Sequence, residues 1–232
     1  MAEAESQSSG TLYIVSTPIG NLEDITLRAL RILGEVDTVA AEDTRHTGRL
    51  LKHFEITARL ESYHDHNKEG KTPHLIKRLS NGESIAVVTD AGTPGISDPA
   101  FYLVREAVKH NISISPIPGP TAAVAALVAS GLPTDRFVFE GFLPPKKGRK
   151  TRLETLKTEP RTMIFYESPH RLLRTLRDLE SHMGSRQVVI AREITKKFEE
   201  WIRGPLDQVL LQLAERSIKG ECVIVLHGQG KK

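Results

Sequence analysis

The sequence predicts an α/β fold of two domains, with a mostly parallel sheet in the first and a mixed sheet in the second. In the first half, short apolar runs rich in β-branched residues alternate with amphipathic segments. Such runs are typical of strands buried on both faces of a parallel sheet, joined by helical crossovers. In the second half, residues 137–141 and 199–203 alternate apolar and polar side chains more regularly, which favours mixed or antiparallel pairing.

Length and composition describe a soluble globular protein. The chain has 232 residues, of which 39% are hydrophobic and 26% are charged. No apolar run approaches the roughly 20 residues that span a bilayer. Residues 1–10 are polar and acidic and lack the basic and apolar regions of a signal peptide, so we expect a disordered tail and a cytoplasmic protein without a membrane partner.

The single cysteine and the overall charge exclude little. Cys222 lies inside an apolar run and cannot form an internal disulfide, so we predict a small core residue and no catalytic thiol. The formal net charge of +3 permits a polyanionic partner without requiring one.

The first half predicts five strands and five helices in alternation. The strands are at residues 11–16, 38–41, 59–62, 85–89 and 112–117, and the helices at residues 26–33, 44–54, 68–79, 99–109 and 121–130. The last helix is almost all Ala, Val and Leu, so it lacks a polar face and we predict that it is buried. Composition changes near residues 131–136, and we place the boundary there, between domains at residues 11–133 and 134–232.

The second half predicts further strands and two helices. The strands are at residues 137–142, 162–166, 187–191, 199–203 and 221–226, and the helices at residues 169–182 and 205–217. The basic residues 146–152 lie on or just after a proline-bounded loop, which we interpret as a mobile phosphate-binding flap.

Three strands of the first half end in loops rich in small residues and proline. The loops are Thr-Pro-Ile-Gly-Asn at residues 17–21, Asp-Ala-Gly-Thr-Pro-Gly at 90–95 and Pro-Gly-Pro-Thr at 118–121. In a parallel sheet all three emerge at one edge and can line one crevice. None matches the glycine-rich patterns of nucleoside triphosphate or dinucleotide sites. A nucleoside-like ligand held by backbone groups stays open, and so does a set of tight turns without a ligand.

Six motifs in order carry a family resemblance. In chain order they are Thr-Pro-Ile-Gly-Asn-Leu-Glu-Asp at residues 17–24, Ala-Glu-Asp-Thr-Arg-His-Thr at 41–47, Asp-Ala-Gly-Thr-Pro-Gly-Ile-Ser-Asp-Pro at 90–99, Pro-Gly-Pro-Thr at 118–121, Glu-Gly-Phe-Leu-Pro at 140–144 and Phe-Tyr-Glu-Ser-Pro-His-Arg at 165–171. Together they resemble the ribosomal RNA small-subunit methyltransferase I family of the tetrapyrrole methylase superfamily. The resemblance implies two α/β domains with S-adenosylmethionine in a cleft between them, a homodimer, and 2′-O-methylation of a decoding-centre cytidine in small-subunit ribosomal RNA, expected within the assembled subunit.

The resemblance also implies a set of cofactor-binding residues. They are Gly92, Thr93, Ile96, Thr121 and Ala122, with Pro18, Ile19 and Gly20 close by and Phe165 or Tyr166 from the second domain. One position departs from the superfamily pattern, because members that methylate tetrapyrroles tend to carry Asp where this chain has Thr93. That departure argues against tetrapyrrole activity and leaves the role of Thr93 open.

Methyl transfer to a ribose hydroxyl depends on alignment and benefits from a base that accepts the hydroxyl proton. The candidate catalytic bases are Glu42 and Asp43 at the end of the second strand and Asp90 in the central loop, with Glu167 or Glu193 as alternatives from the second half. Each of these carboxylates could instead cap a helix or pair with a neighbouring arginine.

Basic residues predict where RNA would bind. Residues 141–177 hold 10 Lys or Arg against 3 Asp or Glu. Charge runs are usually solvated faces, but with the family resemblance RNA binding is the leading interpretation. The predicted RNA-binding residues are Arg45, Lys146, Lys147, Arg149, Lys150, Arg171 and Arg174.

A metal site is not predicted, and two other functions stay open. His64 and His66 have a spacing seen in some metal sites, but no third ligand lies nearby, so we interpret them as part of a solvated loop. The alternatives are a methylase of a tetrapyrrole, another small molecule or a protein on the same fold, and a non-catalytic RNA-binding assembly factor.

Overall fold

The computed structural model describes residues 10–230, which form two compact units, the first ending at Thr121 and the second beginning at Ala122. Each unit contains one five-stranded sheet. The expected tail at residues 1–10 lies outside the described residues except for Gly10, whose N–H donates to the Leu79 carbonyl at 2.8 Å. Among residues 10–230, no helix is both long and apolar enough to cross a bilayer.

The sheet of the first unit is entirely parallel, as the alternating pattern predicts. Its strands are β1 (Thr11–Val15), β2 (Thr38–Ala41), β3 (Leu60–Ser62), β4 (Ile85–Val88) and β5 (Ser113–Ile117), in the order β3-β2-β4-β1-β5. Its helices are α1 (Leu27–Glu35), α2 (Thr44–His53), α3 (Lys68–Ser80) and α4 (Ala100–Lys109), with a short 3₁₀ turn at Leu22–Asp24.

Strand β4 shows why these apolar runs form central strands. All four of its residues are buried, and successive side chains point to opposite faces of the sheet. Ile85 and Val87 pack in a core with residues of α3 and α4, whereas Ala86 and Val88 pack in a second core with residues of α1 and α2. Helices therefore cover both faces, which is why the strand reads as a continuous apolar run.

Polar side chains set the start of several helices. Thr26 accepts a hydrogen bond from Ala29 N–H before α1, and Asp43 accepts one from Arg45 N–H before α2. Asp98 accepts from Ala100 N–H at 2.8 Å and from Gly95 N–H at 2.7 Å, so it ties the loop after β4 to the first residue of α4. Asp98 thus satisfies the first N–H of α4, which begins just after Pro99.

The second unit contains a mixed sheet, again as predicted. Its strands are β6 (Phe137–Phe142), β7 (Thr162–Glu167), β8 (Gln187–Arg192), β9 (Glu200–Pro205) and β10 (Cys222–Leu226), in the order β6-β7-β10-β8-β9. Strands β6 and β7 are parallel and the other pairs are antiparallel. Its helices are α5 (Ala122–Ser130), α6 (Arg149–Leu156), α7 (Pro169–Met183) and α8 (Leu206–Leu213).

The basic segment before residue 152 differs from its prediction. Half of the expected flap is helical, because α6 begins at Arg149 directly after Gly148, which adopts a φ of +82°. Leu153 and Leu156 of this helix are buried in the core of the unit. The predicted loop is therefore confined to the residues between β6 and α6.

Helix α5 is buried on one side only. Its Ala126 and Leu127 are buried, and the helix packs against β7, β8 and β10. It therefore belongs to the second unit, whereas the change of composition placed the domain boundary after it, near residues 131–136. Val124 and Val128 are 45% and 68% exposed. The prediction of a wholly buried helix was wrong for the single chain, because the sheet covers only one face of α5.

Cys222 lies where the sequence places it. The residue is 3% exposed in β10, and burial raises the pKa of its thiol to about 12. The thiol is therefore neutral at physiological pH, as expected of a core residue.

Candidate active site

The carboxyl ends of β1, β4 and β5 bring the three small-residue loops together. Thr17 N–H donates to the Gly92 carbonyl at 2.9 Å, and Gly92 N–H donates back to the Thr17 carbonyl at 3.1 Å. This two-way backbone bridge joins the loop after β1 to the loop after β4. The parallel order of the sheet makes it possible, because β1 lies between β4 and β5.

One hydroxyl joins all three loops. Thr93 Oγ1 lies 3.1 Å from the Pro120 carbonyl and 2.9 Å from Ser16 Oγ. A carbonyl can only accept, so Thr93 donates to Pro120, and Ser16 donates to Thr93. The sequence did not single out Ser16, since a serine at a strand end carries no signal of its partner.

Glycine is required in these loops by the way they pack on each other. Gly92 has a φ of +86°, and a Cβ there would lie 3.3 Å from Ile19 Cγ2. At Gly119, a Cβ would come within 2.8 Å of the Ser16 Cβ. The glycines that suggested a ligand held by backbone groups are therefore explained in part by contacts between the loops themselves.

The predicted cofactor-binding residues of the first unit divide into two groups. Pro18, Ile19 and Gly92 are buried, so they support the loops. Gly20 and Ile96 are exposed and Thr93 is half-buried, so they are accessible to a ligand. Small residues, main-chain groups and one exposed aliphatic side chain fit a nucleoside-like ligand that is recognised largely through the backbone.

The remaining predicted cofactor residues lie on either side of the division between the units. Thr121 is the last residue of the first unit, Ala122 is the first residue of the second, and both are half-buried. Phe165 is fully buried, whereas Tyr166 is half-buried, with its ring against Phe139 and Phe142. The Tyr166 hydroxyl accepts from Ala123 N–H at 3.2 Å, which holds the start of α5 to β7.

Three acidic residues meet at the ends of β2 and β4. Glu42 accepts a hydrogen bond from the Thr89 hydroxyl at 2.8 Å, and Asp90 accepts one from Asp43 N–H at 3.1 Å. Asp43 also forms a bidentate pair with Arg45, at 3.1 and 2.7 Å. Because β2 and β4 are adjacent and parallel, their ends bring together candidates that are 47 residues apart in sequence.

The environments of these carboxyls move their pKa values in opposite directions. Burial, helped by the negative charge of Glu42, raises the pKa of Asp90. Hydrogen bonds from Arg45 hold the pKa of Asp43 well below its usual range. Divergent pKa values of neighbouring groups are a feature of acid–base sites, so Asp90 is the stronger candidate for accepting a proton.

The two alternative carboxylates of the second unit are already bonded within the protein. The Glu167 side chain is fully buried and accepts from the Thr175 hydroxyl, Arg171 and Ser168 N–H at 2.6, 2.7 and 2.8 Å. Glu193 accepts from Glu221 N–H and from Lys196. These contacts give both carboxylates a structural role and argue against either as the base.

Arg149 is a correction to the predicted RNA-binding set. Only 6% of the residue is exposed, and its guanidinium donates to Asp178 at 2.7 Å, Thr175 at 2.8 Å and the Pro144 carbonyl at 3.2 Å. It fastens the start of α6 to α7 and has no free face for a phosphate. Counting charges along the sequence could not reveal this, since burial depends on the packing of α6 on α7.

The other predicted RNA-binding residues differ in how available they are. Lys146, Lys147 and Lys150 are exposed. The Arg174 side chain is 59% exposed, whereas the Arg171 side chain is 31% exposed and paired with Glu167. Arg45 in the first unit is 83% exposed despite its pairing with Asp43. By exposure, the three lysines, Arg45 and Arg174 are therefore more available for phosphate than Arg171.

The histidines at residues 64 and 66 do not form a metal cluster in the described part of the chain. Their rings lie edge to face, with centroids 6.0 Å apart. Across residues 10–230, no group of three or more His, Cys, Asp or Glu is arranged to hold a metal ion.

Known proteins resemble this chain over most of its length. A family model described as Tetrapyrrole (Corrin/Porphyrin) Methylases matches residues 11–210. A protein of Halalkalibacterium halodurans named Ribosomal RNA small subunit methyltransferase I is 54% identical, over 96% of this chain and 78% of the relative. A protein of the same name from Synechocystis is 53% identical, over 94% of this chain and 79% of the relative.

A solved structure shares the fold at low sequence identity. The uroporphyrin-III C-methyltransferase of Thermus thermophilus, crystallised with S-adenosylhomocysteine, is 19% identical. It aligns with a TM-score of 0.64 over 94% of this chain and 97% of its own.

Proposed function

Because the chain belongs to the ribosomal RNA small subunit methyltransferase I family of tetrapyrrole methylases, we propose that it methylates a ribose 2′-hydroxyl of small-subunit ribosomal RNA. The target is a cytidine of the decoding centre, and the methyl donor is S-adenosylmethionine. The observation that carries the proposal is the identity of more than half over most of the chain to relatives of that name. We propose a cytoplasmic location because ribosomal RNA is the substrate.

The joined loops after β1, β4 and β5 are the proposed donor site. S-adenosylmethionine supplies an electrophilic methyl group on its sulfonium sulfur. Gly20, Thr93 and Ile96 are the accessible residues of the loops, and the backbone bridge between Thr17 and Gly92 fixes the surface that they form. The loops thus orient the donor, and alignment of this kind can contribute roughly 7–11 kcal/mol to lowering a barrier.

Asp90 is the proposed acceptor of the ribose proton. Its pKa is raised by burial, so its ionised form is a stronger base than an ordinary aspartate. Asp43 N–H donates to one carboxylate oxygen and orients the group. Glu42 acts on Asp90 through its charge, and Asp43 is held ionised by Arg45.

The test is a methylation assay with the purified full chain and a labelled methyl donor. The substrates are small ribosomal subunits and, in parallel, protein-free small-subunit RNA. A 2′-O-methyl group blocks alkaline cleavage at its own nucleotide, so the modified RNA should show one gap in the hydrolysis ladder, at a cytidine. Incorporated label with an unbroken ladder would mean methylation of a base, and the 2′-O assignment would then be wrong.

A genetic experiment supplies the second arm of the test. Mass mapping of ribosomal RNA from cells that lack the protein should show one cytidine lighter by a methyl group. Adding back the purified protein should restore the mass, whereas Asp90→Asn protein should not. An unchanged mass spectrum in the deleted strain would exclude this RNA as the substrate.

We also propose that the protein acts as a homodimer, with the exposed face of α5 at the contact. Val124 and Val128 leave an apolar strip on a helix that has no charged residue. Isolated exposed valines are ordinary, but two on one face favour a covering partner. Sedimentation should give twice the chain mass, and Val128→Glu should give the single-chain mass. A wild-type monomer would refute the proposal.

A further inference from the structure

A cavity in the second unit lies between β6 and α6, outside the candidate catalytic residues. Its volume is about 570 Å³, and its walls include Phe139, Phe142, Pro144, Gly148, Arg152 and Thr155. This size is within the range of sites that take small-molecule ligands. The sequence motifs at residues 140–144 contribute to it, but no role in donor binding was predicted for them.

An aromatic side chain on this wall is more than half exposed. Phe142 is 53% exposed, although a phenylalanine at the end of a strand could pack inward. Its ring lies against Tyr166, with centroids 5.7 Å apart, and the Arg171 guanidinium lies 6.0 Å from its centroid. The ring is therefore held in place by its neighbours while more than half of the residue faces solvent, an arrangement suited to stacking by a flat ligand.

The polar group of the cavity is an oriented guanidinium. Arg152 donates two hydrogen bonds to the Glu140 carboxylate, at 2.6 and 2.7 Å. The Glu140 side chain is 6% exposed and the Arg152 side chain is 46% exposed. Glu140 thus fixes the plane of Arg152, whose remaining N–H groups can donate to a ligand with carbonyl or ring-nitrogen acceptors.

Exposed lysines lie on the segment that borders one side of the cavity. The segment between Pro144 and α6 forms one wall, and it carries the exposed Lys146 and Lys147, with Lys150 on the first turn of α6. A ligand with a flat face, an acceptor-rich edge and a phosphate matches all three features. An unpaired nucleotide has them, whereas an acidic peptide would leave the stacking surface unused.

We propose that this cavity binds one unpaired nucleotide of single-stranded RNA, with its base stacked on Phe142 and its acceptor edge towards Arg152. The proposal rests on the proposed function for its choice of RNA, and it adds a binding site distinct from the donor loops. The lysines hold the adjoining phosphates, so the cavity fixes the position of the strand.

The test uses the full chain and a short single-stranded oligouridine that contains one 2-aminopurine. Stacking on an aromatic ring quenches the fluorescence of this base, so binding should quench it. Phe142→Ala should abolish the quenching and lower affinity by roughly fivefold to a hundredfold. Phe142→Trp should retain both, because it keeps a stacking surface. A thermal melt of each variant checks that the exposed substitution leaves the fold intact.

Phe198 supplies a matched control. It is 66% exposed with Lys197 5.6 Å from its ring centroid, but it does not line the cavity. Phe198→Ala should bind the oligonucleotide as the wild type does. Equal losses for Phe142→Ala and Phe198→Ala, or wild-type binding by Phe142→Ala, would overturn the proposal.

Arg152→Lys tests the polar part of the site. The charge is kept but the planar donor edge is lost, so affinity should fall severalfold while the salt dependence stays the same. Unchanged affinity would remove Arg152 from the site and overturn this part of the proposal.

The binding assay contains no methyl donor, so it separates the two proposals. Quenching that depends on Phe142 in a protein without methylation activity would sustain the cavity and refute the proposed reaction. Normal methylation by a protein whose RNA binding is unaffected by Phe142→Ala would support the proposed reaction and refute the nucleotide site in the cavity.

Discussion

Single hydroxyl groups and carboxyls decide much of the first unit's chemistry. The Thr93 hydroxyl receives a hydrogen bond from Ser16 and donates one to the Pro120 carbonyl, so one side chain fixes the relation of three loops. At the same edge of the sheet, Asp90 and Asp43 are the same residue type with opposite shifts of pKa. Chemical identity alone would not distinguish them, whereas burial of Asp90 beside Glu42 and the pairing of Asp43 with Arg45 do.

Thr93→Val tests whether Thr93 positions the donor loops. Valine keeps the shape but leaves the Pro120 carbonyl and the Ser16 hydroxyl without their partner, at a cost of roughly 1–3 kcal/mol. We expect the KM for S-adenosylmethionine to rise more than kcat falls, and Thr93→Ser to restore most of the loss. Thr158→Val, at an exposed position, is the control. Equal kinetics for Thr93→Val and wild type would exclude the positioning role.

The raised pKa of Asp90 predicts a pH dependence. A base must be ionised, so the methylation rate should rise with pH through the pKa of Asp90, which burial places above the usual aspartate range. Glu42→Gln removes a negative charge that disfavours ionisation, so the rising limb should move to lower pH. In Asp90→Asn the methylation rate should be much lower and should no longer rise with pH in this range. If the pH of the rising limb were the same in Glu42→Gln and wild type, Asp90 would not be the titrating base.

At the scale of elements, strands were more predictable than the basic segment. Strand β2 was predicted with its observed bounds and β4 to within one residue, because short runs of apolar and β-branched residues between turn signals have few other solutions. Helix α6 was missed since its eight residues are dominated by charge and follow two prolines and a glycine. Its helical state depends on Leu153, Leu156 and Arg149 packing inward, which local sequence does not encode.

Arg149 and Lys150 form a matched pair for testing that packing. Arg149→Met leaves Asp178 and Thr175 without a donor, and we expect the free energy of unfolding to fall by roughly 2–3 kcal/mol, since Asp178 keeps some access to water. Lys150→Met should change it by no more than about 0.5 kcal/mol. Denaturant unfolding of both variants measures the difference. Similar values for the two would mean that the buried guanidinium does not anchor α6.

At the scale of the whole molecule, charge is local. The net charge is only +3, yet three exposed lysines lie within five residues next to the cavity of the second unit. Because parallel strands end at the same edge of a sheet, the sequence could predict that the three loops of the first unit meet. No comparable rule indicates which charged side chains of the second unit will be buried, as Arg149 and Glu167 are.

The triple replacement of Lys146, Lys147 and Lys150 with Ala tests that local charge. Each phosphate contact to a single strand contributes about 0.7 to the slope of log affinity against log salt, so we expect the slope to fall by about 2. S-adenosylmethionine binding, measured by calorimetry, should not change. The control replaces Lys52, Lys77 and Lys219, which are exposed elsewhere. An equal change of slope in both triple variants would indicate non-specific charge attraction.

The contact between Gly119 and Ser16 limits how this protein can vary. A methyl group at position 119 would overlap the Ser16 side chain, so a larger residue there needs glycine at position 16. Glycine at position 16 would in turn remove the hydroxyl that Thr93 accepts from. Substitutions at positions 16 and 119 are therefore coupled. Whichever position changes first, the singly substituted protein either has a steric clash or lacks the hydrogen bond to Thr93.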